Sequence, residues 1–386
     1  MLSRTLRGTI AASALLVALP VAASYAAPFM IVGDDEKLLW NDQGTGVVKP
    51  TGNDNVLIVD LADPENPKIV ANLPLENSVV GPPVNVAITP DGSLGLVADS
   101  LTVVQDGAAL KSAPTDKLFV IDLKANPPKL AQTVTVGKQP SGLSINAAGD
   151  LALLANRTGN SVSVLKIEGG KVTEVSQLPM GGSVSTVEFT PDGKHALAVM
   201  SPANRIALLA VDGDKVTDTK ISFPTYIFPY NAVVTPNGQL ALTADNGNGG
   251  NADGNADEVS VIDLSANPPH VIDHITIADA PEGLAVSPKG DVAVVASVQG
   301  SNMKDKWFHH QNGVITVLKI DGTKVSPIKT IEVGNTPEAI VFTPDGKYIY
   351  VGNYLDQDFS ILKVDGTDVT DTGKRFKVPG HPASAR

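Results

Sequence analysis

A four-residue turn that recurs along the chain constrains the fold more than any other feature. Thr-Pro-Asp-Gly occurs three times, and close variants of it occur three more times. Proline presets the backbone at the second position and glycine relieves the exit, so each copy predicts a type I turn between two strands. The turn glycines are Gly92, Gly149, Gly193, Gly238, Gly290 and Gly346. Their spacing indicates a repeated unit of about 44 residues with insertions.

A second element recurs seven times, once more than the turn. Each copy is a run of β-branched and other apolar residues with the character of a strand. The runs lie at 55–61, 118–123, 161–167, 205–211, 258–264, 314–320 and 358–364. Another turn and another β-rich stretch follow each run, so one unit reads as four strands, A to D, with the proline turn between A and B.

The two ends of the chain account for the missing turn. The chain enters its first unit at a strand B that starts at Phe29, and it ends in GHPASAR, which matches the opening of a strand A such as 335–341. The termini therefore complete one unit between them, which closes a ring without a free sheet edge. The sequence predicts an all-β fold, a seven-bladed β-propeller with four-stranded blades.

The stretch FTPDGKYIYVGNYLDQDFSILKVDG and its counterparts resemble the YVTN-repeat propellers of bacterial exported and surface proteins. The resemblance covers nearly the whole chain after residue 26 and implies the same seven-bladed fold. The lactonase-type seven-bladed propellers are neighbours of that family. Members of these families do different things, so function has to be argued from individual residues.

The first 26 residues predict a secretory signal peptide. Arg4 and Arg7 precede an apolar run of about fifteen residues, and small residues then suit cleavage before Ala27. The run is short for a membrane span, although a retained anchor is the alternative. We therefore expect one propeller domain over 27–386, located in the periplasm or outside the cell.

Charge and cysteine content exclude several classes of function. The formal net charge is −12, and loss of the two signal-peptide arginines takes it to −14. An acidic surface without runs of Lys or Arg argues against nucleic-acid binding. The chain has no cysteine, which excludes disulfides and thiolate metal sites. We expect a monomer without a membrane span after cleavage, and a small molecule or a periplasmic protein as its partner.

Every long insertion is predicted to fall between strands B and C. The A–B and C–D turns of a propeller lie on one face, so these insertions would all rim the opposite face. The four stretches are 33–55, 99–117, 244–258 and 296–313. Loops on a rigid scaffold commonly carry binding residues, which makes this loop-rich face the predicted working face.

Alignment of the repeats on their turn glycines places one residue of each unit at the channel end of strand A. These residues are Val84, Ser141, Ser185, Tyr230, Glu282, Glu338 and Ala383. The same alignment puts Lys138, Phe228, Asp279 and His381 in the approaches from strand D. A mixed polar and aromatic lining fits a small-ligand pocket. A water-filled polar channel mouth is the alternative.

The last insertion combines aromatic residues and histidines that no core strand could hide together. It contains Trp307, Phe308, His309 and His310. This combination predicts a binding lip, with simple packing of Trp307 inside the loop as the alternative. A metal site that includes His381 is a further alternative, although adjacent histidines on an extended chain point in opposite directions.

The insertion at 244–258 is rich in side-chain oxygen atoms. It supplies Asp245, Asp253, Asp257 and Glu258. Flexible stretches of this kind can wrap calcium, but no window matches the full calcium-loop pattern. We therefore predict a solvated loop and no cofactor, with calcium or another divalent ion as the alternative.

Arg157 supports the alternative of a hydrolase. The stretch LLANRTGNSVSVL around it is similar to a strand and turn of lactonase-type propellers, where channel arginines and acids bind a carboxylate or phosphate. The resemblance implies an anion site at Arg157, with Arg205 of the next unit as its second half and Glu282 or Glu338 as the base. The chain departs from that family because it lacks a histidine at the strand A ends. Ion pairing of both arginines within their blades is the alternative.

No serine-hydrolase elbow, haem-attachment motif, phosphate-binding loop or dinucleotide fingerprint is present in the sequence. The first expectation is therefore an exported propeller that binds a small molecule or a partner protein at its loop-rich face. A lactonase-like hydrolase and a structural protein of the cell envelope are the alternatives. The sequence leaves open whether any reaction is catalysed.

Overall fold

The computed structural model describes residues 29–386, which form seven antiparallel four-stranded sheets arranged as the blades of a propeller. The predicted all-β fold is confirmed. The predicted signal peptide at 1–26 lies outside the described residues. Within 29–386, no helix is long and apolar enough to cross a membrane.

Each blade runs from strand A at the channel to strand D at the rim. Blade 1 consists of β30 (Pro382–Ala385), β1 (Phe29–Asp34), β4 (Asn55–Asp60) and β5 (Lys68–Leu73). Blade 2 consists of β6 (Val86–Ile88), β7 (Leu94–Asp106), β8 (Ala109–Asp122) and β9 (Lys129–Thr135). Blade 3 consists of β10 (Pro140–Ile145), β11 (Leu151–Asn156), β12 (Ser161–Glu168) and β13 (Lys171–Pro179).

The other four blades have the same order. Blade 4 consists of β14 (Thr186–Phe189), β15 (His195–Met200), β16 (Arg205–Asp212) and β17 (Lys215–Pro224), with a 3₁₀ turn at Ser201–Ala203. Blade 5 consists of β18 (Pro229–Val234), β19 (Leu240–Asp245), β20 (Asp257–Asp263) and β21 (His270–Ile277). Blade 6 consists of β22 (Pro281–Val286), β23 (Val292–Ser297), β24 (Val314–Asp321) and β25 (Lys324–Glu332). Blade 7 consists of β26 (Pro337–Phe342), β27 (Tyr348–Asn353), β28 (Asp358–Asp365) and β29 (Asp368–Lys377).

The two ends of the chain close the ring as predicted. Strand β1 pairs antiparallel with β30, so that Val32 lies opposite Ala385. Ile31 and Arg386 exchange backbone hydrogen bonds of 2.9 and 3.1 Å. Blade 1 therefore takes its innermost strand from the carboxyl end, which removes a free sheet edge.

The repeated turn also joins neighbouring blades. All six turn glycines adopt positive φ angles, which a side chain would strain. At four joints the proline of one blade packs against the turn glycine of the next, close to where a Cβ atom would lie. These pairs are Pro90 with Gly149, Pro191 with Gly238, Pro236 with Gly290 and Pro288 with Gly346. The proline and the glycine of the motif thus serve the contact between blades as well as the turn itself.

The core lies between the blades. Each pair of neighbouring blades encloses a cluster of buried apolar side chains from strands B and C and their neighbours. Between blades 3 and 4, for example, Leu153 and Val164 pack with Ala198 and Leu209. Because each cluster buries the faces of two sheets, apolar contacts join every pair of neighbouring blades without disulfides.

Two of the predicted long insertions contain more regular structure than the sequence suggests. In blade 2, β7 and β8 continue as a two-stranded ribbon as far as the pair Asp106 and Ala109. The stretch 99–117 is therefore a hairpin, because its alternating residues extend the strand ladder. The blade 1 insertion contains a second small hairpin, β2 (Leu38–Trp40) and β3 (Gly46–Val48).

The insertions meet on one face, as predicted. The blade 1 insertion reaches that of blade 6 through a β-bridge between Gln43 and Met303 and a 2.8 Å bond from the Lys304 amide to the Asp42 carbonyl. The blade 5 insertion reaches it where Gly254 packs against Phe308. The enlarged connections therefore touch one another above the channel.

Candidate functional site

The channel mouth on the loop-rich face gathers the side chains that the repeat alignment placed there. Tyr230, Glu282 and Glu338 start their A strands and are only 5–8% exposed. Val84, Ser141, Ser185 and Ala383 are buried at the same level of the ring. The positions that the alignment of the repeats treats as equivalent are therefore all buried.

Glu282 and Glu338 form a buried pair of carboxyl groups on neighbouring blades. Gly283 lies against the backbone carbonyl of Glu338, where a larger residue would not fit. Burial, together with the nearby charge of Glu338, raises the pKa of Glu282 well above its usual range, while Arg157 opposes that shift. Burial raises the pKa of Glu338 to about 8. The pair therefore retains a proton near neutral pH, which is the state needed for acid–base work.

Tyr230 and Arg157 complete the mouth. Burial and the charge of Glu282 raise the pKa of Tyr230. Its Oη accepts a 3.1 Å hydrogen bond from the amide of Gly81, a residue from the far side of the ring. The Arg157 Nη1 atom is buried and makes no hydrogen bond within the described residues, and the same holds for Ser141 Oγ.

A connection that the sequence reading did not single out covers this mouth. We call residues 74–85, which run from strand D of blade 1 to strand A of blade 2, the plug. A Cβ atom on Gly81 would lie 2.6 Å from Ser141 Oγ and 3.3 Å from Arg157 Nη1. Gly81 therefore lies directly against Ser141 and Arg157, and its amide bonds to Tyr230, so the plug contacts three residues of the mouth.

A buried lysine fixes the plug in place. Lys37 is fully buried, and its Nζ atom contacts the Asp54 carboxylate and the Asn77 carbonyl of the plug. Asp54 also accepts the Asn77 amide at 3.1 Å, and Asp35 accepts the Val79 amide at 2.7 Å. Burial alone would lower the pKa of Lys37, but the charges of Asp35 and Asp54 raise it.

Further acidic groups surround this anchor. Lys37 Nζ lies 3.6 Å from Asp35 and 3.7 Å from Glu76. Burial raises the pKa of Asp99 to about 7 and that of Asp34 to about 8. The anchor therefore carries more carboxyl groups than one ammonium group can neutralise, and some of them stay protonated near neutral pH.

The other polar and aromatic candidates meet between blades 5 and 6. A cavity of ≈ 380 Å³ lies there, and Asn255, Asp279, Gln299, Trp307, His309 and His310 are among its lining residues. We call residues 299–310 the lip. Trp307 is 86% exposed. The predicted lip thus brings Trp307, His309 and His310 together, outside the channel mouth.

The remaining predicted ligand-binding residues are dispersed. Phe228 stacks on Tyr230 with ring centres 6.1 Å apart. His381 lies 2.7 Å from Glu36 and packs on Tyr354, away from the two lip histidines, whose contacts are with other groups. Lys138 is exposed and pairs with Asp116 at 2.6 Å.

The structure gives the two arginines different surroundings. Arg157 lies at the channel mouth, next to Gly81 and Ser141. Arg205 is exposed at the start of β16, opposite Pro224 of strand D. Burial would raise the pKa of the nearby Asp218, but hydrogen bonds and charge from Lys220, with the charge of Arg205, lower it. Arg205 lies on the outer strands of blade 4, so it does not join Arg157 at the channel mouth as the second half of an anion site.

The acidic residues of the blade 5 insertion contact protein groups, and Asp245 and Glu258 are linked through Ser260 and His274. Asp245 accepts from the Ser260 backbone amide at 3.2 Å, Asp257 accepts from the Ala280 amide at 2.8 Å, and Glu258 lies 3.4 Å from His274. Asp253 is exposed. In the part of the chain that the structure describes, no group of three or more His, Cys, Asp or Glu residues could hold a metal ion.

No protein-family model matches the chain. The antigen Lp49 of Leptospira interrogans is 27% identical over 93 residues, which is 24% of this chain and 20% of that protein. The match thus spans about a fifth of that relative's length.

Among solved structures the fold is shared with propellers of the lactonase type. The periplasmic gluconolactonase PpgL of Pseudomonas aeruginosa matches with a TM-score of 0.65 and 17% identity over 93% of this chain and 98% of that one. A provisionally assigned 6-phosphogluconolactonase of Bacteroides uniformis matches with a TM-score of 0.69 and 17% identity, again over 93% and 98%. At these identities the likeness shows the fold alone.

Proposed function

We propose that this protein is an exported, periplasmic propeller of the YVTN-repeat kind that binds a small molecule or a partner protein at its loop-rich face. The signal-peptide pattern at 1–26 and the repeated strand and turn sequence support export and the repeat family. Within the loop-rich face we assign binding to the lip rather than to the channel mouth.

The observation that carries this proposal is the exposure of Trp307. Large aromatic side chains gain free energy when they leave water, and they are enriched where proteins bind ligands. Trp307 is 86% exposed although its loop is bonded to blade 1 through the backbone and packed on blade 5 through Phe308. A rigid loop that presents a tryptophan to solvent is suited to binding, because contact would bury that ring at little cost in chain entropy.

Affinity capture from a periplasmic extract tests this proposal. Immobilised wild-type protein and Ile328→Ala should retain the same bound component, and Trp307→Ala should lose it. Ile328 is the matched control, because it is an exposed apolar residue on strand D of blade 6, outside the lip. Equal retention by the Trp307→Ala variant would contradict binding at the lip.

A lactonase-like hydrolase is the second candidate, and the unpaired guanidinium group favours it. Arg157 Nη1 is buried without a partner in the described residues, and its charge acts on the carboxyl group of Glu282. A substrate carboxylate or phosphate could satisfy the arginine while Glu282 or Glu338 activates water. That chemistry requires the plug to leave the mouth.

Proton release from a panel of sugar lactones separates the two candidates. The binding proposal predicts the same slow rate for wild type, Arg157→Ala and buffer. Hydrolysis by wild type that Arg157→Ala abolishes would overturn a purely binding role. Thermal unfolding of the variant provides the control that loss of rate is not loss of fold.

A further inference from the structure

The ring of Trp307 is presented on a rigid support. Its ring meets that of Phe308 edge to face, with centres 5.5 Å apart and planes at 90°. Phe308 itself is wedged between Gly254 and Gly300, where Cβ atoms would lie 2.9 and 2.8 Å from its own atoms. Both glycines have positive φ angles, so no other residue fits easily at either place. The wedge holds Phe308, and Phe308 orients Trp307.

The backbone of the lip is a series of hydrogen-bonded turns. The Met303 amide donates to Gly300 at 3.0 Å, the Lys306 amide donates to Met303 at 2.9 Å, and the His309 amide donates to Lys306 at 3.1 Å. A ligand that binds here would therefore have little chain to order, which favours affinity.

Hydrogen-bonding side chains stand beside the ring. His309 Nδ1 lies 3.2 Å from the Gly300 carbonyl oxygen, which can only accept, so Nδ1 donates this bond. Gln299 Nε2 donates to His310 Nε2 at 3.2 Å, which leaves His310 Nδ1 as a donor. The pocket thus combines the exposed ring of Trp307 with the hydrogen-bonding side chains of Gln299, His309 and His310.

We infer that this pocket binds a saccharide and that one pyranose ring stacks on Trp307. The C–H bonds on one face of a pyranose carry partial positive charge, and the face of an indole ring is negative. Each sugar hydroxyl both donates and accepts, which suits the polar side chains of Gln299, His309 and His310 that line the cavity. A cavity of ≈ 380 Å³ lies near the lower end of the ~300–1,000 Å³ typical of small-molecule sites, so one or two sugar rings fit.

Charged ligands fit the same pocket less well. A quaternary ammonium group is held by several aromatic faces, whereas Phe308 lies edge-on to Trp307 and is wedged in place. The carboxylate of Asp279 already accepts the amides of Asp253 and Gly254 at 3.0 and 2.7 Å. Among the residues that the structure describes, no lysine or arginine lines the cavity to bind an anion.

This inference rests on the proposed function and names the ligand class for the lip. The chain has two tryptophans, so Trp40→Phe leaves Trp307 as its single fluorescent reporter. We would titrate that variant with cellobiose, maltose, lactose and diacetylchitobiose, and with choline and adenosine as comparators. The expected result is that at least one disaccharide shifts Trp307 emission to the blue and protects it from acrylamide quenching, with saturation in the millimolar range.

Matched variants in the Trp40→Phe background identify the contacts. Gln299→Ala should weaken disaccharide binding about fivefold, because a lost hydrogen bond costs roughly 1 kcal/mol. Ile328→Ala should leave binding unchanged. Calorimetry on Trp307→Ala, which has no reporter ring, should show no heat of binding.

Two results would overturn the inference. One is that no saccharide in the panel protects Trp307, whether or not choline or adenosine does. The other is saturable protection that is as strong in Gln299→Ala as in its parent. If affinity capture still depends on Trp307 in either case, binding at the lip stands and only the saccharide assignment fails. If that dependence is also missing, the proposed function fails as well.

Discussion

The channel mouth and the lip lie on the same face of the propeller but are built in opposite ways. The titratable residues of the mouth are buried inside the ring. The plug donates a hydrogen bond to Tyr230 from across the channel. The lip exposes the ring of Trp307 to solvent, on a loop that is bonded to blade 1 and packed on blade 5. Groups that look equally functional in the sequence are therefore enclosed by the fold in one region and available for contact in the other.

The anchor of the plug should give the largest effect on stability. Lys37→Met leaves several buried carboxyl groups without their cation, and loss of one partner of a buried ion pair typically costs ~3–5 kcal/mol. Lys138→Met breaks an exposed pair with Asp116 and should cost less than about 1 kcal/mol. Urea unfolding of both variants measures the difference. Equal costs would show that Lys37 does not hold the mouth.

The carboxyl pair should make the stability depend on pH. Burial raises the folded-state pKa of Glu338 to about 8 from 4.5. Between these values the unfolded state loses its proton before the folded state does, so the free energy of unfolding falls as pH rises from about 4.5 to about 8. The groups facing this carboxyl include Glu282, Tyr230 and Tyr354, with Arg157 nearby.

Glu338→Gln removes the ionisation and keeps the shape. We expect it to raise the free energy of unfolding by about 2–4 kcal/mol at pH 8.5 and to change it little at pH 4.5. Urea unfolding at the two pH values checks this. A variant that is destabilised equally at both would mean that Glu338 is ionised and paired in the folded protein.

Tyr230→Phe tests the contact across the channel. The substitution removes the acceptor of the buried Gly81 amide and should cost ~1–3 kcal/mol. Hydrogen exchange of the Gly81 amide should accelerate in the variant. Unchanged exchange there would show that Tyr230 does not hold the plug.

The fold was predictable from sequence because the same turn and strand patterns recur in every unit. The four-residue turn appears six times, five times with proline, and the third strand of the unit appears seven times, so even the closure of the ring could be inferred from the count. Tyr230, Glu282 and Glu338 were located at the mouth for the same reason, because repeats place equivalent residues at equivalent depths.

The plug could not be predicted in this way because it belongs to no repeat. Gly81 meets Tyr230 from 149 positions away in the sequence. Lys37 and its acids lie in a polar insertion of the kind that is usually solvated, and nothing local shows that they are buried. The available signals were the length of the connection, twelve residues between β5 and β6 where the others have three to six, and its Gly-Pro-Pro sequence.

The lip should show the smallest effect on stability. Trp307 is almost fully exposed, so Trp307→Ala should change the free energy of unfolding by less than about 0.5 kcal/mol. Urea unfolding of Trp307→Ala and of Tyr230→Phe under the same conditions compares the stability cost in the two regions. A loss above 1 kcal/mol would mean that Trp307 is part of the folded core rather than a free binding surface.

The central claim is that the propeller's own chain closes the mouth and leaves the lip open. Hydrogen–deuterium exchange of the wild-type protein, followed by mass spectrometry of peptides that cover residues 74–85, tests it most directly. The account predicts slow exchange for the plug amides of Asn77, Val79 and Gly81, which are bonded to Asp54, Asp35 and Tyr230. Exchange of this segment as fast as that of the exposed turns would contradict the account. It would show an open mouth and would favour the carboxyl pair over the lip as the functional site.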